Sequence, residues 1–207
     1  FHILEAHATG HLDQVINHGY LAVDFFFLLS GFVIGFAYDD RWHQMSLRSF
    51  IRRRLIRLQP MVVMGMLVGA LFFYLQDSVL WPEIHNIPVW QVLLTLLAGM
   101  LMIPLPTTMD IRGWWEMYPL NGPAWSLFFE YLANLMYALF IRKWPVWALG
   151  LLVMISGGAL LHMAVTGKEG DLIGGWSLHP EQFRIGITRL MFPFFAGLLL
   201  FRISKPF

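Results

Sequence analysis

Long apolar stretches separated by short polar ones dominate this chain from Gly19 onward. The windows Gly19–Tyr38, Leu58–Gln76, Val89–Leu105, Gly122–Ile141, Val146–Thr166 and Thr188–Ile203 approach the length needed to span a bilayer. A helix needs about 20 largely apolar residues to cross a hydrocarbon core of about 30 Å, and only Val89–Leu105 is marginal. The pattern predicts an all-α fold, a polytopic transmembrane helix bundle with about six spans, short loops and no room for a soluble domain.

The few polar positions inside these windows are regularly spaced. Asp24, Gly31, Gly35 and Tyr38 fall on one helical face. Gly31 and Gly35 form a small-xxx-small pair that lets another helix approach closely, and Asp24, on the same stripe, is predicted to point into the bundle. Ser126, Glu130, Asn134 and Tyr137 draw a second stripe, which must face protein or a water-filled cavity because an isolated carboxylate in lipid is strongly disfavoured. Asn121 is a predicted N-cap for that helix, with Pro123 in its first turn.

Between spans, Asp39–Ser49 reads as a polar loop and Phe50–Pro60 as a basic helical segment, FIRRRLIRLQP. Ile51, Leu55 and Leu58 share one side of it, and Arg53, Arg54 and Arg57 cluster within a sector of about 100° on another. Six of the fourteen basic residues lie between Arg41 and Arg57, which predicts a cytoplasmic location by the positive-inside rule. Downstream, two topologies stay open. A full crossing by Val89–Leu105 would put Arg142 and Lys143 outside, against the charge bias; a re-entrant or surface-lying segment would not.

Composition agrees with the pattern. Hydrophobic residues make up 57% and charged residues 13%, with a mean hydropathy of +0.60. Soluble domains sit at roughly 25% charged. A net charge of +1 gives no reason to expect a nucleic-acid partner, and the absence of cysteine removes disulfides and thiol chemistry. Trp114, Trp115 and Tyr118 fit an interfacial aromatic belt, and Met61, Met64 and Met66 read as lipid-facing or core filling. His7 and His11 stand at i and i+4 without acidic partners, so no metal site is expected. Phe1–Leu4 read as the tail of an apolar segment and Phe207 closely follows a span. Residues 1–207 are therefore expected to form a single integral-membrane domain, incomplete at both ends.

Three blocks, in this order and spacing, resemble the acyltransferase 3 family: GYLAVDFFFLLSGFVIGFAY at 19–38, FIRRRLIRLQP at 50–60, and NGPAWSLFFEYLANLMYAL at 121–139. Arg189–Arg202, with Phe195-Ala-Gly197, is a weaker echo of a late family helix. The family consists of membrane-bound enzymes that acylate hydroxyl groups of carbohydrates and other acceptors. The resemblance implies an acyltransferase moving an acyl group, above all acetyl, from acyl-CoA to such a hydroxyl, in a bacterial-type cytoplasmic (inner) membrane.

It also implies a functional histidine near the end of the first helix. His2 is the best match and His7 the second choice. The resemblance makes His2 a catalytic base or transient acyl acceptor, beside a bland reading as a loop histidine. Imidazole, with an unperturbed pKa of about 6.5, suits deprotonation of a hydroxyl. Acyl-CoA carries phosphates that guanidinium groups grip through forked bonds. Arg54 and Arg57 are therefore candidates for donor contact, Arg53 and Arg52 secondary ones, against an orienting or lipid-binding role. Glu130 is the candidate intramembrane acid, catalytic or a structural partner of an arginine. Asp24, Ser126 and Asn134 are substrate-contacting or structural polar residues. No G-x-S-x-G elbow surrounds Ser126, so it is not read as a nucleophile. Competing readings are a transporter or flippase and a catalytically inert membrane fragment.

Overall fold

The computed structural model describes residues 19–77, 84–167 and 172–204. Six α-helices are present among them: α1 Ala22–Tyr38, α2 Leu47–Leu71, α3 Val89–Met100, α4 Ala124–Leu139, α5 Val146–Thr166 and α6 Pro180–Ser204. No strand occurs among the described residues, so the all-α bundle class holds. Four segments are long and apolar enough to cross a membrane: Gly19–Gln44, Leu47–Leu71, Val146–Thr166 and Pro180–Ser204. Their outward faces carry exposed Phe25, Phe26, Phe36, Leu71, Met154, Ile155 and Val165, side chains that lipid can solvate and water cannot.

Several boundaries differ from the periodicity. The second span begins eleven residues earlier than Leu58, because the basic segment and the apolar one form a single helix through Pro60. Ser46 caps it, its hydroxyl accepting the Ser49 N–H at 3.2 Å. The chain leaves α2 at Leu71, and Phe73–Gln76 form a 3-10 turn. The last span likewise begins earlier, at Pro180. The windows Val89–Leu105 and Gly122–Ile141 contract to helices of 12 and 16 residues, about 18 and 24 Å long. Both are shorter than a full crossing of about 30 Å.

The chain divides into two compact units. The first holds the described residues up to Asp39, then Trp144–Ile173, and those from Arg189 onward; the second holds Asp40–Lys143 and Gly174–Thr188. Helix α6 contributes its opening turns to the second unit and the remainder to the first.

In the first unit α1 and α6 run parallel. A side-chain carbon at Gly31 would lie 1.8 Å from the Phe194 carbonyl oxygen, and one at Gly197 would lie 1.9 Å from that of Leu28. Glycine alone permits this backbone approach. Both ends of the pair are clamped by arginine–carboxylate forks. Arg189 gives Nε and Nη2 to Asp24 at 3.1 and 2.7 Å, and Arg202 gives Nε and Nη2 to Asp39 at 2.7 and 3.1 Å. Asp24 does point inward, as its stripe predicts. Its partner Arg189 is 165 residues away in sequence.

In the second unit α3 descends beside α2, where Gly99 meets Met66 and the Gln59 amide donates to the Met100 carbonyl. The chain then turns back, and Leu120 reaches Gly69 near the end of α2. Next, α4 runs antiparallel to α2, from Asn121 beside Gly65 to Tyr137 beside Phe50 and Trp42. The Arg142 guanidinium stacks over Trp42 at 4.4 Å. Arg142 and Lys143 therefore share an end with the basic segment, which favours the re-entrant topology for α3 over a full crossing.

Candidate active site

Helix α2 carries five arginines near its N-terminal end, and their periodicity sends them to different surroundings. Arg48, Arg52, Arg53 and Arg57 are exposed, while Arg54, 3% exposed, turns onto α4. Its Nη2 donates to Glu130 Oε1 at 2.6 Å. Partly buried guanidinium and carboxylate side chains thus meet across two helices, a pair that resists separation because either charge left alone would be uncompensated. Arg54 Nε remains a buried donor with no hydrogen-bond partner.

Asn134, one turn after Glu130, donates from Nδ2 to the Glu130 carbonyl at 2.8 Å, and its Oδ1 is a second buried polar atom without a partner. Tyr131 donates its hydroxyl to Gln59 Oε1 at 3.0 Å. A layer of Arg54, Gln59, Glu130, Tyr131 and Asn134 therefore runs between α2 and α4. Three of the five, Arg54, Glu130 and Asn134, are candidates from the sequence. Gln59 was visible only as the last polar residue before Pro60, and Tyr131 lies off the Ser126–Tyr137 stripe.

Of the other expected residues, Ser126 donates its hydroxyl to the Pro123 carbonyl at 3.0 Å, within its own turn. Asn121 does not cap α4 with its side chain, which lies against Gly65. Asp24 belongs to the first unit and is engaged by Arg189. His2 and His7 lie outside the described residues. Tyr118, expected in an interfacial belt, is instead buried, with its hydroxyl donating to the Met102 carbonyl at 2.9 Å. Trp114 and Trp115 are exposed.

The profile of the acyltransferase 3 family, described as an acyltransferase domain, matches residues 1–206. The chain belongs to this family. Among curated relatives, "Protein 2 in picA locus" of Rhizobium radiobacter is 32% identical over 143 residues, covering 66% of this chain and 73% of that protein. "Acyltransferase MdmB" of Streptomyces mycarofaciens is 34% identical over 140 residues, covering 65% of this chain but only 32% of its own length. The chain thus matches about a third of MdmB. No solved structure matches it.

The loop preceding α4 in this acyltransferase 3 chain holds a perturbed acid. The Asp110 carboxylate accepts the Arg112 N–H at 2.9 Å and the Trp115 N–H at 2.5 Å. Arg112 Nη1 donates to the Pro119 carbonyl at 3.0 Å and to Glu116 at 3.4 Å. Burial raises the Glu116 carboxyl from 4.5 to about 7, with Arg112 opposing the rise and Asp110 adding to it. The folded chain therefore holds this proton to higher pH than the unfolded chain does. The associated stability is fully present below pH 4.5 and is lost as pH rises through about 7. Its full size is on the order of 3 kcal/mol. Melting temperature in detergent is expected to fall between pH 5 and pH 8, and Glu116→Gln to flatten that fall. A wild-type curve as flat as that of the variant would refute the assignment.

Proposed function

We propose that this acyltransferase takes its acyl group, above all acetyl, from acyl-CoA and passes it to a hydroxyl of a carbohydrate or similar acceptor. The observation that carries the reading is the buried Arg54–Glu130 pair, whose Arg54 Nε is an unmet donor. Exposed Arg52, Arg53 and Arg57 flank it on the same helix. Such a set suits a thioester donor that is polyanionic at one end and carbonyl-bearing at the other. The exposed guanidinium groups take the phosphates. Arg54 Nε offers one more donor to a phosphate or carbonyl oxygen of the donor.

In this reading the acceptor oxygen forms a bond to the acyl carbon as the carbon–sulfur bond breaks. The hydroxyl proton passes to a base and then to the departing CoA thiolate. His2 is the proposed base or transient acyl carrier. Glu130 holds Arg54 in register and keeps that guanidinium from seeking water. Asn134 Oδ1, a buried acceptor one turn away, can orient a donor hydrogen in the same layer. The basic end faces the cytoplasm by the positive-inside rule, the side on which acyl-CoA is found.

The test is transfer of a labelled acetyl group from acetyl-CoA by the intact protein in proteoliposomes. Arg57→Ala is expected to raise the donor KM about tenfold, the loss of one charge-assisted contact of roughly 1.5 kcal/mol, with topology unchanged. A variant with unchanged donor KM and inverted loops would instead assign these arginines to orientation alone. His2→Ala is expected to abolish turnover in protein that still inserts normally, and retained turnover would remove His2 from the mechanism.

A further inference from the structure

The second unit contains a cavity of ≈ 580 Å³ that the donor reading does not use. Its lining includes Trp114, Trp115 and Trp176, together with His179, Glu181 and Gln182. Two loops and the first turn of α6 build it, and the loops are tied together, the Met117 N–H donating to the Trp176 carbonyl at 2.8 Å. The location follows from packing within the unit. Gly175 lies against Trp125 in the first turn of α4, whereas the last turns of that helix meet Trp42 and Phe50 beside the basic segment. The cavity therefore sits at the end of α4 opposite the arginines.

Its chemistry is specific. Three tryptophans in the lining can offer flat apolar faces, and the imidazole, carboxylate and amide of His179, Glu181 and Gln182 add hydrogen-bonding groups. Gln182 Oε1 already accepts the Gly175 N–H at 2.9 Å, which directs the remaining amide capacity toward donation. The volume lies in the range of about 300–1,000 Å³ typical of small-molecule sites. The lip is also held in an uncommon conformation. Trp115 has φ 55° beside Gly113 at φ 85°, and the Asp110 carboxylate pins the Trp115 N–H. A bulky residue in the left-handed region costs energy that a loop of no consequence would relax away, and such strain concentrates at ligand sites.

We propose that this tryptophan-lined cavity binds the pyranose ring of a carbohydrate acceptor, its C–H faces against the indoles and its hydroxyls on Glu181, Gln182 and His179. A trimethylammonium group would also suit aromatic walls next to a carboxylate. The cavity is too roomy for that small cation, and its amide and imidazole match hydroxyls. The proposal rests on the acyl-transfer reading for its place in a reaction, in which the bound sugar is the acceptor. The two nevertheless fail separately, because sugar binding needs no acyl-CoA.

The test is equilibrium dialysis of the intact protein in lipid nanodiscs against tritiated methyl α-glycosides of glucose, galactose, mannose and rhamnose. At least one is expected to bind saturably. Trp114→Ala and Trp115→Ala, both at exposed positions, are expected to weaken it about tenfold, as loss of an aromatic anchor does. Trp115→Phe is expected to retain most of the affinity, and Trp147→Ala, on the exposed face of α5, to change nothing. Choline chloride is expected not to compete. The site is overturned if none of the four glycosides binds, if choline displaces them, or if both tryptophan variants bind like wild type. Protein that binds a glycoside through these tryptophans yet transfers no acyl group would sink the transfer reading and leave the site standing.

Discussion

Valine in place of Gly31 is expected to prevent the first unit from assembling, whereas valine in place of Gly158 is expected to leave it intact. At Gly31 the added carbon would lie 1.8 Å from the Phe194 carbonyl oxygen and 2.7 Å from its carbon. Both are backbone atoms of α6, so no rotamer change can make room. The helices would have to part, and the neighbouring close approach at Gly197 and the Arg189–Asp24 fork would part with them. Overpacking a core costs about 1–3 kcal/mol when side chains can give way. Here the displaced atoms are main chain, and the expected loss exceeds about 3 kcal/mol. At Gly158 nothing lies within 4 Å of the added carbon, and the substitution stays within about 1 kcal/mol. Melting in detergent, followed by size-exclusion recovery after heating, separates the two. Equal recovery of both variants would mean that α1 and α6 do not meet as described.

Why one of these contacts was foreseeable and others were not has a physical answer. Gly31 and Gly35, four residues apart on the face that carries Asp24, already define a smooth stripe for a close neighbour, and lipid offers a carboxylate no alternative to facing protein. The same reasoning placed Glu130 and Asn134 toward protein, with an arginine among the partners open to Glu130. Sequence does not, however, carry the distance information that chooses Arg54 over Arg53 or Arg57, because a rotation of α2 by one residue would exchange them. The Arg189–Asp24 and Arg202–Asp39 forks join residues more than 160 positions apart, and no local pattern links them.

The early end of α3 shows a different failure. Its stop is a Schellman turn, with the Ile103 N–H on the Ala98 carbonyl at 2.9 Å and the Met102 N–H on that of Gly99 at 3.0 Å. The left-handed residue is Met102, at φ 56°, where glycine is the usual signal. An apolar side chain in that position leaves the run from Val89 to Leu105 looking unbroken. The prolines at 104 and 106 keep the helix from resuming. The start of α2 failed for the opposite reason. The basic stretch reads as a helical segment separate from the span beginning at Leu58, yet one helix runs through both and through Pro60.

Removing either member of the Arg54–Glu130 pair is expected to end acyl transfer, and the pattern among four variants distinguishes machinery from glue. Arg54→Ala and Glu130→Ala each strand a buried partner, at a cost of about 3–5 kcal/mol in stability, so their inactivity alone would be uninformative. Arg54→Lys keeps a cation within reach of Glu130 but loses the forked geometry and the Nε donor. It is expected to fold better than Arg54→Ala and to lose at least about 100-fold in kcat/KM, or roughly 3 kcal/mol of transition-state stabilisation. The double variant Arg54→Met with Glu130→Leu removes both charges at similar volume, and such replacements are often neutral or stabilising. It is expected to melt at or above the wild-type temperature and to transfer no acyl group. If that apolar double variant retained turnover, the pair would be a structural tie between α2 and α4, and the donor would have to be held elsewhere. If it is folded and inactive, the charge and the unmet Nε belong to the chemistry, because helix packing has been preserved without them.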